Sequence, residues 1–312
     1  MADHSPRLEA VSCVSPAGTH RMAVWEWGDP QNRDVVLCVH GLTRTGRDFD
    51  VLAHALSQRY RVVCPDVVGR GLSDWLSQPL FYAVPQYTSD MVTLIARLQP
   101  ERLSWVGTSM GGLIGLAYAG LIAATATQAQ KSLPARIATP LPPTGMRLDR
   151  LILNDVGPYI EPVSLARIGQ YVGEAVSFDS FAQAVQYVQQ TAASFGPHSP
   201  EQWAALTRHT YLEQDGKWIK HYDLALAEPF KVMTSEAAAQ GEAYLWSAFD
   251  SLRCPTLIVR GNDSDLLSEQ TLSQMLDRNK NAQAVRMIGV GHAPTLMAAD
   301  QVRCIEDFLS ST

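Results

Sequence analysis

The sequence predicts an α/β protein with a mostly parallel sheet flanked by helices, and three observations carry that expectation. Strand-like runs such as DVVLCVHG at 34–41 and TLIVRG at 256–261 are continuously apolar, which suits strands buried on both faces. Helical periodicities separate these runs, so strands and helices alternate along the chain. Apolar residues make up 46 % of the 312 and charged residues only 18 %, a balance that builds a core and excludes dominant disorder.

Residues 8–14 and 20–28 read as two strands joined by the turn SPAG at 15–18, a hairpin. The run 34–41 is the first buried strand. Residues 47–58 carry Phe49, Leu52, Ala53 and Leu56 at helical spacing. YRVVCPDVVG at 60–69 gives a strand and turn, 85–98 a helix, and RLSWVG at 102–107 a strand. A helix begins near Met110, and residues 147–157 hold the next strand. TLIVRG and QAVRMIGV (283–290) are the last strands, separated by a helix from Ser268 with Leu272, Met275 and Leu276 on one side. An amphipathic helix around Val302, Ile305 and Leu309 closes the chain.

Two segments break this rhythm. Residues 123–146, rich in Ala, Thr and Pro, read as a long helix end followed by a surface loop. Residues 157–250 lack a buried parallel-strand signal, contain several helical stretches and hold 14 of the chain's 25 aromatic residues. A small helical insert needs large side chains to make any core, and such side chains also suit a lid over a pocket. The predicted organisation is a core of residues 1–156 and 251–312 with an inserted helical cap at 157–250.

Lys and Arg number 25 against 31 Asp and Glu, a formal net charge of −6. That excludes a basic footprint for nucleic acid and a polybasic membrane patch. The five cysteines are odd in number and none are spaced C-x-x-C, which argues against a disulfide framework or a thiolate zinc site. The start, MADHSPRLEA, lacks the basic and apolar regions of a secretory signal, and no apolar run approaches the ~18 residues of a membrane span. The expected location is a reducing cytoplasm. No HExxH or P-loop occurs, and the pair Gly69 and Gly71 lacks the third glycine of a dinucleotide fingerprint, so no metal or cofactor is expected.

The sharpest chemical signal is Gly107-Thr108-Ser109-Met110-Gly111, a G-x-S-x-G placed between an apolar strand and a helix. Such a turn exposes a nucleophilic serine, Ser109, and its glycines remove Cβ atoms where strand and helix nearly touch. The backbone N–H of Met110, at a helix start, is then a candidate oxyanion donor. His40-Gly41-Leu42 follows a buried strand, and the N–H of Leu42 is the second candidate donor; His40 itself reads as structural. Gly291-His292 follows the last strand, which makes His292 the candidate general base. The acid that orients it is Asp265, because Leu266 and Leu267 would anchor the loop directly behind it. Asp263 and Asp155 are the alternatives, Asp155 lying at the end of the preceding strand.

The order Ser109, Asp265, His292 is nucleophile, acid, base. On these motifs the chain resembles the α/β-hydrolase-fold family over nearly its whole length, and within it capped bacterial serine carboxylesterases. Asp66 to Ser73 is similar to the family's D-x-x-G-x-G-x-S turn, implied to shape the rim of the site without doing chemistry. LNDVGP (153–158) and HYD (221–223) resemble segments of capped esterases, and the insert lies where the family keeps its cap. One departure is Ser264, which stands where the family often has its acid. Ser109 sets the chain apart from relatives with an Asp nucleophile, the haloalkane dehalogenases and epoxide hydrolases.

The resemblance implies a serine hydrolase that cleaves a small-molecule carboxylic ester through an acyl-enzyme. The same groups serve C–C bond, lactone or thioester hydrolysis, and a non-hydrolysing ligand receptor is the reading from another class. The charges of the insert are scattered and mixed in sign, so they read as a solvated outer face. The pocket beneath is therefore expected to be apolar, with few charged groups near Ser109, and to prefer uncharged hydrophobic esters. Were an anionic substrate preferred, Arg44, Arg47 and Arg70 would be the suspected contacts. Nothing in the sequence sets an oligomeric state.

Overall fold

A computed structural model of the chain describes residues 5–132 and 147–311. Of the segment 123–146 expected as a helix end and surface loop, residues 133–146 lie outside the described residues. The chain opens with the hairpin β1 (Arg7–Ser15) and β2 (Gly18–Trp27), paired antiparallel, and continues through β3 (Asp34–Val39). A short 3-10 turn leads into α1 (Asp50–Leu56), followed by β4 (Arg61–Pro65), α2 (Val84–Leu98), β5 (Arg102–Thr108), α3 (Met110–Ser132) and β6 (Leu148–Asn154).

The segment between β6 and the next core strand contains α4 (Pro162–Val172), β7 (Ser177–Phe178), α5 (Phe181–Thr191) and α6 (Pro200–Arg208). It continues through β8 (Tyr211–Gln214), β9 (Lys217–Lys220), α7 (Glu228–Val232) and α8 (Ser235–Ser251). The chain then finishes with β10 (Thr256–Gly261), α9 (Glu269–Arg278), β11 (Ala282–Met287) and α10 (Ala299–Ser310).

The main sheet has eight strands in the order β1-β2-β4-β3-β5-β6-β10-β11. Only the hairpin and the β2–β4 contact are antiparallel; every pair from β4 to β11 is parallel. Alternate side chains of the central strands go to opposite faces. Val36, Cys38, Val106, Ile152 and Val259 pack with Leu52, Ile305 and Phe308 on one side. Leu37, Val39, Trp105, Leu153 and Ile258 pack with Met91, Ile114 and Phe249 on the other. This double burial is the physical source of the unbroken apolar runs. Cys38 and Cys64 are buried free thiols within these faces, behaving as small hydrophobes.

The segment 157–250 departs from the helical expectation. It carries a three-stranded antiparallel sheet in the order β7-β9-β8, packed over a small core of Ala184, Val188, Trp203, Leu206 and Tyr211. These strands are only two to four residues long, too short for a periodicity to register. A local signal was nonetheless present: Asp215-Gly216, both at positive φ, is the two-residue turn that joins β8 to β9. The last helix of the segment, α8, lies against α3. Tyr244 donates its hydroxyl to the Ala117 carbonyl at 3.0 Å, Ala248 packs on Gly120, and Phe249 is wholly buried in the main core.

Candidate active site

β5 turns straight into α3 because its corner is built of glycines. A Cβ on Gly111 would overlap the carbonyl oxygen of Val39, and one on Gly107 the carbonyl of Gly111. Ser109 stands at the apex with φ 51°, a left-handed conformation that a serine holds only where its surroundings enforce it. Its N–H donates to Asn154 O at 2.9 Å, and its carbonyl accepts from Gly112 N–H at 2.9 Å. Asn154 also donates its side-chain amide to Thr108 Oγ1 at 3.0 Å and to the Pro294 carbonyl at 2.8 Å. One buried amide thus ties the serine turn to the loop that carries His292.

His292 Nε2 lies 2.9 Å from Ser109 Oγ, and His292 Nδ1 lies 2.8 Å from Asp155 Oδ2. Asp155 follows β6, the strand beside β5, at φ 57° and is wholly buried. Its Oδ1 accepts the Gly261 N–H at 2.9 Å, and its Oδ2 also accepts the Ser264 hydroxyl at 2.6 Å. A carboxylate so placed takes the Nδ1–H of the imidazole and leaves Nε2 free to accept from the serine.

The acid expected at Asp265 is therefore misplaced. Asp265 is half exposed and its carboxylate pairs with Arg167 at 2.6 Å. Asp263 is exposed, and its backbone N–H donates to the Val290 carbonyl. The physical reason lies in the turn between them. Leu266 and Leu267 are buried anchors as expected, but their N–H groups both donate to Ser264 Oγ, so the side chain that this turn holds inward is Ser264, which donates to Asp155. The chain order serine, aspartate, histidine is kept, with Asp155 and not Asp265 in the hydrogen-bonded line. The available signal was a polar pair, Asn154-Asp155, ending an apolar strand next to the serine strand.

Leu42 follows β3 and lines the same cavity as Ser109 and His292, while Met110 is the first residue of α3, where N–H groups have no intrahelical acceptor. Arg70, wholly buried, donates to the carbonyls of Leu42 at 2.8 Å and Val68 at 2.7 Å, and to Met110 Sδ at 3.4 Å. His40 is structural: Nδ1 meets the Gly41 carbonyl at 2.7 Å and Nε2 accepts the Val67 N–H at 2.9 Å. Burial pushes its imidazole down to about 3, which keeps it neutral. Asp66 likewise fixes loops, accepting from the N–H groups of Gly46 at 2.7 Å and Leu72 at 3.0 Å, and its burial raises its carboxyl to about 6.

A cavity of about 340 Å³ opens over Ser109 and His292. The insert supplies much of its wall, including Ile168 and the phenols Tyr171, Tyr187, Tyr211 and Tyr222. The expectation of few charged groups there fails, because Arg44, Arg167 and Lys220 line it and no carboxylate does among the described lining residues. The mixed charges of the insert predict a solvated outer face, yet Lys220, one of them, is only 8 % exposed. Of the three arginines suspected as anion contacts, only Arg44 reaches the cavity. Arg47 pairs with Asp50, and Arg70 lies beneath the serine turn.

Away from the cavity, β1 and β2 bring Cys13 opposite His20, whose Nε2 lies 3.0 Å from Asp90 Oδ2. The three groups are close enough to surround a small metal ion, a cluster that sequence spacing did not signal. They suit one poorly. Burial pushes the Cys13 thiol up to about 12, away from the thiolate a metal needs, and the other Asp90 oxygen is taken by Gln86. No helix among the described residues is long and apolar enough to cross a membrane.

The family model described as alpha/beta hydrolase matches residues 36–303. A 3-hydroxybutyrate-oligomer hydrolase of Cupriavidus necator is 48 % identical over 310 residues, 98 % of each chain. A putative hydrolase from Rickettsia typhi superposes with a TM-score of 0.82 at 28 % identity, covering 98 % of this chain and 99 % of its own. An alpha/beta hydrolase from Novosphingobium aromaticivorans superposes with a TM-score of 0.78 at 32 % identity, covering 97 % and 98 %. With the match spanning both the serine turn and the histidine loop, the chain belongs to the alpha/beta hydrolase family of enzymes.

Proposed function

We propose that the protein hydrolyses carboxylic ester bonds, with short oligomers of 3-hydroxybutyrate as its substrate class, and that Ser109, His292 and Asp155 carry the reaction. The observation that carries this reading is the hydrogen-bonded line from Ser109 Oγ through the His292 ring to Asp155, open at its serine end to the cavity. The 48 % identical relative from Cupriavidus necator, matched over 98 % of both chains, supports the choice of ester.

In this reading Ser109 Oγ attacks the ester carbonyl carbon while His292 Nε2 takes its proton. Asp155 holds the ring and stabilises the imidazolium that forms. The N–H groups of Leu42 and Met110 receive the negative charge that builds on the carbonyl oxygen, each typically worth ~3 kcal/mol of the barrier. Collapse breaks the bond to the leaving alkoxide, which takes the proton from His292 and departs as the alcohol. Water, deprotonated by His292, then attacks the acyl-enzyme, and the second collapse returns the proton to Ser109 and frees the acid. The segment 157–250 acts as a cap, its phenols and Ile168 covering the acyl and alcohol parts over the serine.

The test is release of 3-hydroxybutyrate from its linear trimer by the wild type and by Ser109→Ala. Wild-type release lost in the variant is the expected result; no release by the wild type, or equal release by both, overturns the reading.

A further inference from the structure

We infer that the Lys220 ammonium is a carboxylate subsite inside the cavity, which reads the free acid end of the substrate. The inference rests on the oligomer-hydrolase reading for its natural ligand, because a linear hydroxy-acid oligomer ends in a carboxylate.

Among the described residues three cations line the cavity, and two of them are already paired. Arg44 holds Asp48 through two bonds at 2.6 and 2.7 Å and donates to the Leu206 carbonyl at 2.8 Å. Arg167 is half exposed and held by Asp265 at 2.6 Å. Lys220 differs. It ends β9, opposite Tyr211 in the register, and its Nζ donates to the Tyr171 carbonyl at 2.9 Å. It has no carboxylate within ion-pair distance among the described residues. The Tyr222 ring centroid lies 5.6 Å from Nζ. Glu174 is the acid whose field reaches it, but a Glu174 oxygen is occupied by the Tyr187 hydroxyl at 3.1 Å, and Glu174 does not line the cavity.

A half-buried ammonium carries three donors, and one carbonyl leaves two of them for a ligand. Partial burial lowers its pKa below the ordinary lysine value, the cost of holding a charge partly away from water without a partner anion. A bound carboxylate would remove that cost and form a charge-assisted hydrogen bond. Retaining lysine at a place where methionine would pack more cheaply makes sense if an anion visits it.

The experiment compares the 3-hydroxybutyrate trimer with its methyl ester, on the wild type, Lys220→Met, Lys220→Arg and Arg167→Gln. The wild type is expected to favour the free acid by tenfold or more in kcat/KM. The preference should collapse in K220M, survive in large part in K220R and persist in R167Q. A second measurement is independent of oligomer cleavage and of whether K220M folds. Butanoate should inhibit wild-type hydrolysis of p-nitrophenyl acetate about tenfold more strongly than butanamide. A wild type that cuts acid and methyl ester alike, and does not distinguish butanoate from butanamide, overturns the subsite and leaves the oligomer reading standing. A wild type that cuts neither trimer form but still prefers butanoate overturns the oligomer reading and supports the subsite. A preference that survives in K220M and vanishes in R167Q overturns the assignment to Lys220.

Discussion

The carboxylate that meets His292 Nδ1, at 2.8 Å, belongs to Asp155 on the strand next to that of Ser109, with both side chains emerging from the same end of the parallel sheet. Strand neighbours in a parallel sheet share a carboxyl-end edge, and β5 and β6 deliver Ser109 and Asp155 to that edge without any loop in between. His292 arrives from beyond β11 and closes the line. Asp155 is thus held at the end of a sheet strand and not on the turn at 262–267.

Asp155→Asn should leave the fold intact and lower kcat by about 10⁴-fold, since an amide favours the wrong imidazole tautomer. Asp265→Asn removes only a half-exposed ion pair with Arg167 and should change kcat by less than threefold. Steady-state kinetics on p-nitrophenyl butyrate with both variants measures this. The reverse ranking would return the acid to the loop after β10.

Ser264→Ala probes the same carboxylate from behind. The hydroxyl donates to Asp155 Oδ2 at 2.6 Å and accepts two backbone N–H groups, so its loss leaves three buried polar groups short of a partner. Stability should fall by roughly 1–3 kcal/mol. The rate should fall by up to about 10²-fold through misplacement of Asp155, well short of the Asp155→Asn loss. Urea unfolding and kcat, measured on the same preparation, separate the two effects.

The elements with strong periodicity were legible: the hairpin, the buried strands and the amphipathic helices stand where the residues put them, because tertiary burial and local pattern agree there. The serine turn was legible because a close backbone approach demands glycine at fixed spacing. Asp155 was harder to see because its role depends on strand order, and the adjacency of β5 and β6 is a fact about the sheet, not about neighbours in sequence. The same holds for Lys220, where mixed charge along a polar stretch suggested solvent. The short sheet of the insert turns its side chain inward instead. What the sequence could not convey in each case was the partner across space.

His40 ties the loop after β3 to acid stability. Its imidazole is buried neutral, with its pKa held down at about 3 against 6.5 when free. The unfolded chain therefore binds a proton that the native state refuses. The stability this group contributes is full above pH 6.5 and is lost progressively as pH falls from there toward 3. Between pH 6.5 and pH 5 the loss from His40 alone should be about 2 kcal/mol. His40→Gln removes the titration, so the urea-derived stability of the variant should decline less steeply over that interval than the wild type's. Parallel declines would refute the assignment.

Arg70 is the last residue whose role the geometry defines. Its guanidinium has no carboxylate partner among the described residues; it donates to Leu42 O, Val68 O and Met110 Sδ, and it lies 4.9 Å from the Tyr87 ring centroid. Two of those contacts fall on the two residues whose N–H groups are proposed to receive the oxyanion. Arg70 is accordingly a positioning residue, fixing the spacing of Leu42 and Met110 without touching substrate. Lysine offers one point charge in place of a planar fork and cannot span both carbonyls and the sulfur. Arg70→Lys should therefore lower kcat by roughly ten- to a hundredfold with little change in KM, since the lost interaction is made only in the transition state. A purely structural role would lower the melting temperature and leave kcat per folded molecule unchanged. Active-site titration with a fluorophosphonate counts the folded molecules. A wild-type kcat on that count would show that the donors keep their places without Arg70.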